Sequence, residues 1–298
     1  MATDGISLAS NIEMLKEMIC QCGRVATNKF LATFVLGLAI AASAFAQTPD
    51  KSAPPASRPA PAGKAAQPTA EQILDRYVAA IGGREAWKKL NSRVATGTIE
   101  VPNSDASVTV DFRDKAPNRL LHTIVFNGAT FRHGYDGTIA WTDDPKDGLR
   151  EETGAALADT QFDADFYHPL DLRKLYSKFT VTGQEKIGER DAYLVEAARS
   201  GADPDKLYFD TQSALVIRMI SYRHTSEGLI VYQEDFEDYR QVDGVKLPFT
   251  VHQTSKVAPS VTASADQSEQ EQSFTVRFAE VHHNVELDDQ QFSKPAAQ

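Results

Sequence analysis

The sequence predicts an α+β fold, a strongly curved antiparallel sheet of about ten or eleven strands with a few helices against one face. Three observations predict it. Apolar and polar residues alternate with period two through SVTVDFR and SFTVRF, so Val108, Val110 and Phe112 share one face, as do Phe274, Val276 and Phe278. Such alternation marks antiparallel strands with one wet face. Four dipeptides that accept positive φ angles, Asn127-Gly128, Asp136-Gly137, Asp147-Gly148 and Asp243-Gly244, predict tight hairpins and therefore a meander. Finally, the chain has no strand–helix–strand alternation that would build a parallel sheet.

Taken in order, the elements begin with a leader. Lys29 precedes an apolar run from Phe30 that ends in Ala44-Phe45-Ala46, which reads as a secretory signal peptide over 1–46 cut after Ala46. Met14 or Met18 is an alternative start within it. Cleavage would remove both cysteines, Cys20 and Cys22, leaving no thiol chemistry and no lipidated cysteine in the mature protein. The leader carries Lys16, Arg24 and Lys29 against Asp4, Glu13 and Glu17, so the net charge of −10 is unchanged by its loss. An acidic chain without a basic block is a poor partner for nucleic acid or anionic membranes. The expected location is the periplasm or the exterior, with no transmembrane span in the mature chain. Residues 47–68, rich in Pro, Ala and Ser, read as a disordered linker.

The folded domain is expected over 69–298. Thr69-Ala70-Glu71-Gln72 fits a capping box, Ile73, Leu74, Tyr77, Val78 and Ile81 follow at helical spacing, and Gly82-Gly83 closes the helix. A short turn through Ala86, Trp87 and Leu90 leads to the first strand. AYLV (192–195) and ALVIRMI (214–220) are apolar on both faces, which predicts central strands covered on both sides. Between Ala155 and Phe179 the strand pattern stops, and two short helices broken near His168-Pro169 are expected. Residues 258–272 read as a polar loop.

Chemistry is hard to find. The mature chain has no nucleophile elbow, zinc-protease helix, dinucleotide loop or phosphate loop. DDPKDG (143–148) departs from a calcium loop at Pro145 and Gly154, and reads as an acidic hairpin tip. Adjacent His282 and His283 point to opposite faces of a strand, whereas His122 and His133 can meet if their strands are neighbours. In EDFED (234–238), Glu234, Phe236 and Asp238 share a face, and the charges read as a solvated side and an edge guard. Asp238 and Arg240 read as a surface ion pair, while Trp87 and Trp141 read as packing residues. No catalytic, metal or cofactor site is read.

The segments IGGREAWKKL, FRDKAPNR, GYDGTIAWTDDP, LYFDTQSALVIRM, DYRQVDGVKLPF and VHHNVELDDQQF, in this order from about Tyr77 to Phe292, resemble the outer-membrane lipoprotein-sorting (LolA/LolB-like) superfamily, as a diverged secreted bacterial member. The motif positions are Lys115, Pro117, Asn118, Asp136, Gly137 and Trp141. The resemblance implies a half-barrel with a helical lid over a hydrophobic cavity, and binding of a lipid, a lipoprotein acyl chain or another amphiphile without catalysis. The family carrier has an arginine, tied to its lid, between the lysine and proline of this motif. Here Ala116 takes that place, with Arg113 and Arg119 nearby, so the resemblance bears on apolar-ligand binding more directly than on lipoprotein transport. The expected cavity wall is Tyr193, Val195, Leu215 and Ile217, with Leu157, Phe162 and Phe166 on the lid. Expected partners are a lipid or lipidated protein and an envelope protein, the chain itself being a monomer. An envelope-stress regulator is the second reading, and a hydrolase using scattered His and carboxylates the third.

Overall fold

The computed structural model describes residues 67–199, 203–225, 228–259 and 271–296; the expected signal peptide, most of the linker and most of the 258–272 loop lie outside them. Helix α1 (Ala70–Ala80) starts at the expected capping box, with the Thr69 hydroxyl accepting from the Gln72 amide and the Gln72 side chain accepting from the Thr69 amide. Gly82, at φ 110°, ends it, and α2 (Gly83–Trp87) follows at once. Both helices bury their apolar sides through Ile73, Leu74, Tyr77 and Trp87.

Thirteen strands then form one antiparallel sheet. The first six are β1 (Ser92–Glu100), β2 (Val108–Lys115), β3 (Arg119–Phe126), β4 (Ala129–Tyr135), β5 (Ala140–Asp144) and β6 (Gly148–Glu151). The crossover carries α3 (Gly154–Asp163), a 3-10 turn (His168–Leu170) and α4 (Leu172–Leu175). The remaining strands are β7 (Lys178–Ile187), β8 (Arg190–Ala198), β9 (Asp205–Asp210), β10 (Val216–Thr225), β11 (Gly228–Val242), β12 (Val245–Pro259) and β13 (Glu271–His283). A final 3-10 turn spans Asp289–Phe292. The crossover breaks before Pro169 as expected, but its helices stop at Leu175 and Lys178 already lies in a strand.

The spatial order is β6-β5-β4-β3-β2-β1-β13-β12-β11-β10-β9-β8-β7. Two meanders of neighbouring strands thus meet at a β1–β13 seam, and the sheet's free edges, β6 and β7, are joined by the helical crossover. The strand number exceeds the expected ten or eleven because two signals are weak. The β7–β8 turn uses Gly188 at φ 58° without an Asn-Gly or Asp-Gly pair, and β6 has only four residues. AYLV and ALVIRMI fall in β8 and β10, towards one edge rather than at the centre. Their second face is nonetheless covered, since Ala192, Leu194, Tyr208 and Ile217 form a separate small apolar cluster.

The concave face holds the main core. Alternate residues of β2 (Val108, Val110, Phe112) join Ile124, Phe131, Val195, Phe209, Phe249 and Val276 with α1 and the crossover residues Phe166, Leu170 and Tyr176. Tyr77 of α1 meets the Phe209 ring edge-on at 5.6 Å. Arg173 of α4 ties the crossover to α1 through Glu71 and Asp75, and Arg84 of α2 bonds Asp171 and the Leu170 carbonyl. On the convex face the chain end packs against β5, where the Trp141 indole donates to the Phe292 carbonyl at 2.9 Å. Gly134 makes that packing possible, because a Cβ there would lie 2.3 Å from the Trp141 ring.

Candidate functional site

A cavity of about 220 Å³ lies between the concave sheet face and the 3-10 turn of the crossover. It touches β3 through His122 and β11 through Glu234, strands five places apart in the sheet. At about 4.8 Å per strand a flat sheet would separate them by roughly 24 Å, so the curvature is what closes the site. Its floor is apolar, built from Ala95, Phe112, Leu247, Val251, Val276 and Val281. Polar groups stand at its two ends, Arg93, Asp114, His122 and His168 at one and Glu234 and Gln253 at the other.

At the first end Asp114 is the hub. Arg93 on the neighbouring strand donates to Asp114 Oδ2 through Nη2 at 2.6 Å and Nε at 3.0 Å. His122 Nε2 donates to Asp114 Oδ1 at 3.0 Å, which leaves its buried Nδ1 without a partner. The His122 ring stacks on Phe112 at 4.4 Å. Burial pushes the Asp114 carboxyl up, but Arg93 and His122 together outweigh it and hold the group well below the usual carboxylate range. His168 Nδ1 donates to the Asp165 carbonyl at 3.0 Å, and desolvation is the main cause lowering its pKa.

His122 and His133 do face each other across β3 and β4, with ring centroids 6.5 Å apart. Each ring turns to its own partner, however, His133 Nε2 lying 2.9 Å from the Thr160 hydroxyl, which donates in turn to Glu152. Among the described residues no group of three or more His, Cys, Asp or Glu is placed to hold a metal ion.

At the second end, Glu234 corrects the solvated-edge expectation. Strand β11 is internal, between β10 and β12, and Glu234 is only 9% exposed with Oε2 buried and unpartnered. Burial, and then the nearby Asp205 charge, push its pKa up to about 8. Phe236 follows it into the cavity. Asp238 does not, because its φ of 50° breaks the alternation and sends its carboxylate to the exposed Arg240, 2.6 Å away. Arg240 also lies over the Phe249 ring at 4.4 Å. Asp205 itself is fully buried, accepting from Tyr176 Oη at 2.8 Å and Arg199 Nη2 at 2.5 Å.

The seven apolar residues expected to form the wall and lid are placed around this site rather than on its lining. Val195, Leu215 and Phe166 are buried in the main core, and Tyr193 packs against it. Ile217 sits in the small convex-face cluster, on the face opposite its neighbour Val216, which belongs to the main core. Leu157 packs with Leu120 and Tyr135, and the Phe162 ring lies 6.2 Å from His168. Trp87 and Trp141 are both buried packing residues.

The motif positions hold the scaffold. Lys115 bonds the Leu287 carbonyl and Asp289, Pro117 follows a cis peptide bond, and the Asn118 side chain reaches the Gly137 backbone region. Asp136 Oδ1 accepts from the Thr138 and Ile139 amides. Arg113 is held by Asp111 and Gln291, and Arg119 lies 3.4 Å from Asp289, so both arginines beside Ala116 face the C-terminal segment.

No family model and no curated protein matches the sequence. The chain is similar to solved LolA-superfamily structures. One is a LolA superfamily protein from Nitrosomonas europaea, 14% identical with a TM-score of 0.46, covering 76% of this chain and 99% of that one. A domain from Vibrio parahaemolyticus described as outer membrane lipoprotein-sorting is 13% identical, with a TM-score of 0.46 over 75% of this chain and 95% of that one. A DUF1329 family protein from Desulfovibrio piger is 14% identical, with a TM-score of 0.47 over 75% and 96%.

Proposed function

We propose that the mature chain is a non-catalytic envelope protein that holds one small amphiphile in the cavity beneath the crossover. The cavity carries this reading: an apolar floor with a few polar groups at its ends is the usual make-up of a small-molecule site. Its volume of about 220 Å³ lies just under the roughly 300–1,000 Å³ common for drug-sized ligands, which suits a single short acyl chain or a small ring system. A lipidated partner would therefore insert one chain. The non-catalytic reading is supported by the lining, in which the His122–Asp114 pair faces no hydroxyl or thiol side chain among the described residues. Export by the expected signal peptide would deliver the domain over 69–298 to the periplasm, where a role in lipoprotein sorting is the finer proposal.

Two measurements test it together. Native mass spectrometry of gently purified protein should show a bound amphiphile, and N-phenyl-1-naphthylamine should bind saturably at one site. Ala95→Phe, which fills the floor, should weaken that binding at least tenfold while the protein stays folded. A protein free of amphiphile that takes up no probe, or a probe indifferent to Ala95→Phe, overturns the proposal.

A further inference from the structure

We infer that the bound amphiphile carries an uncharged hydrogen-bonding head, a hydroxyl, ester or amide, seated against Glu234 and Gln253, with its apolar tail along the floor towards Phe112. The inference rests on the proposed binding function and adds the chemical class of the ligand.

Glu234 is the observation that calls for a partner. Its side chain is more than nine-tenths buried, it faces the cavity, and Oε2 has no hydrogen bond. Leaving a buried polar atom unsatisfied is costly, so a ligand atom that meets it gains accordingly. Gln253, paired with Glu234 across β11 and β12, lies beside it on the same lining. An amide next to a carboxyl offers both donors and acceptors without requiring a charge.

The charges around Glu234 decide the type of head. On its β10 side the cross-strand partner is the apolar Met219, and on β12 it is neutral Gln253. The nearby charge is Asp205 of β9, already engaged by Arg199 and by Tyr176 at the end of the crossover. At the far end of the cavity Arg93 is committed to Asp114, with His122 and His168 beside it. An anionic head at Glu234 would thus meet two carboxyl groups, while Arg93, the one arginine on the cavity lining among the described residues, is committed to Asp114, and Arg199, with Nε and Nη1 unpartnered, lies off that lining. Burial and Asp205 keep Glu234 protonated up to about pH 8, so it presents an O–H donor and a carbonyl acceptor, the complement of an alcohol, ester or amide. A cationic head would bind well only by ionising Glu234 against that burial. As pH rises through about 8, Glu234 loses its donor, and neutral-head binding weakens.

The test uses displacement of N-phenyl-1-naphthylamine by 1-decanol, decanoate and decylamine at pH 6.5 and pH 9. In the native protein 1-decanol should displace the probe at a concentration at least tenfold lower than either charged compound at pH 6.5, and lose about tenfold at pH 9. Glu234→Gln, which keeps a donor at every pH, should flatten that pH dependence. Glu234→Leu should lose most of decanol's advantage, read as the ratio of the displacing concentrations of decanol and the two charged compounds. If decanoate or decylamine competes as well as decanol, or if Glu234→Leu leaves head selectivity unchanged, the inference fails while the binding reading stands. If the native protein binds no probe at all, both fail.

Discussion

Asp114 and Glu234 are two carboxyl groups on one concave face, and their surroundings drive them in opposite directions. Asp114 is desolvated but clamped by Arg93 and His122, so its pKa falls below the unfolded value. A depressed folded pKa contributes stability above the unfolded pKa near 3.8, and that contribution is lost as pH falls further. The native protein should therefore lose urea resistance steeply below about pH 4, and Asp114→Asn should show a shallower acid limb. Arg93→Met leaves the carboxylate buried beside only a histidine; we expect a loss of about 2–4 kcal/mol at pH 7, read from the urea midpoint. Glu234 has the reverse sign. Its folded pKa is raised from 4.5 to about 8, so its contribution is present below pH 4.5 and lost as pH climbs to 8. Glu234→Gln should match the native protein near pH 4.5 and exceed it at pH 9, by at most roughly 5 kcal/mol at about 1.4 kcal/mol per unit. Equal midpoints at both pH values would contradict the assignment.

The turns divide the four Gly pairs into two kinds. Asn127-Gly128 and Asp243-Gly244 have positive φ at both positions and close two-residue hairpins, as their sequence predicts. Asp136-Gly137 and Asp147-Gly148 have positive φ at glycine only and lie in longer loops, where Asp136 and Asp144 accept backbone amides instead. The Asp243-Gly244 tip has a further role. Gly82, at the end of α1, packs so closely on it that an added Cβ would lie 2.4 Å from the Gly244 carbonyl oxygen. The Lys246 amide donates to the Ile81 carbonyl at 3.0 Å. Two of the quoted motifs, IGGREAW and QVDGVKLPF, are thus halves of one contact between the helical cap and the sheet. Gly82→Ala combines that clash with a φ of 110° and should cost at least about 2 kcal/mol by urea unfolding, whereas Gly83→Ala, with open space around its Cα, should cost less.

The antiparallel, meandering character of the sheet was legible because alternation and turn chemistry are local, and so were α1 and the break before Pro169. The location of the cavity was not, since it depends on how far the sheet curls. Leu215 and Ile217 look equivalent in sequence, but Leu215 precedes β10, directly after Ala214 at φ 59°, and joins the main core, whereas Ile217 lies in the strand and faces the other side. Glu234 looks like surface charge until β11 acquires neighbours on both sides; its one legible sign was sharing a face with Phe236. The pairing of β1 with β13 was equally invisible, as no local feature announces that the first strand will lie beside the last. That seam spans great distances along the chain: the Asn284 side chain bonds the Lys89 carbonyl 195 residues away. Joining such distant segments places folding among slow, non-local topologies. Truncation before Glu271 should leave two half-sheets with β1 and β12 edges bare, giving aggregation on gel filtration in place of a cooperative thermal transition. The seam also fixes an order of events. Neither meander can be stitched to the other until the final strand is available, so synthesis alone cannot complete the structure from its beginning. A chain threaded N-terminus first through a membrane pore would lock only on the far side, as its last strand emerged.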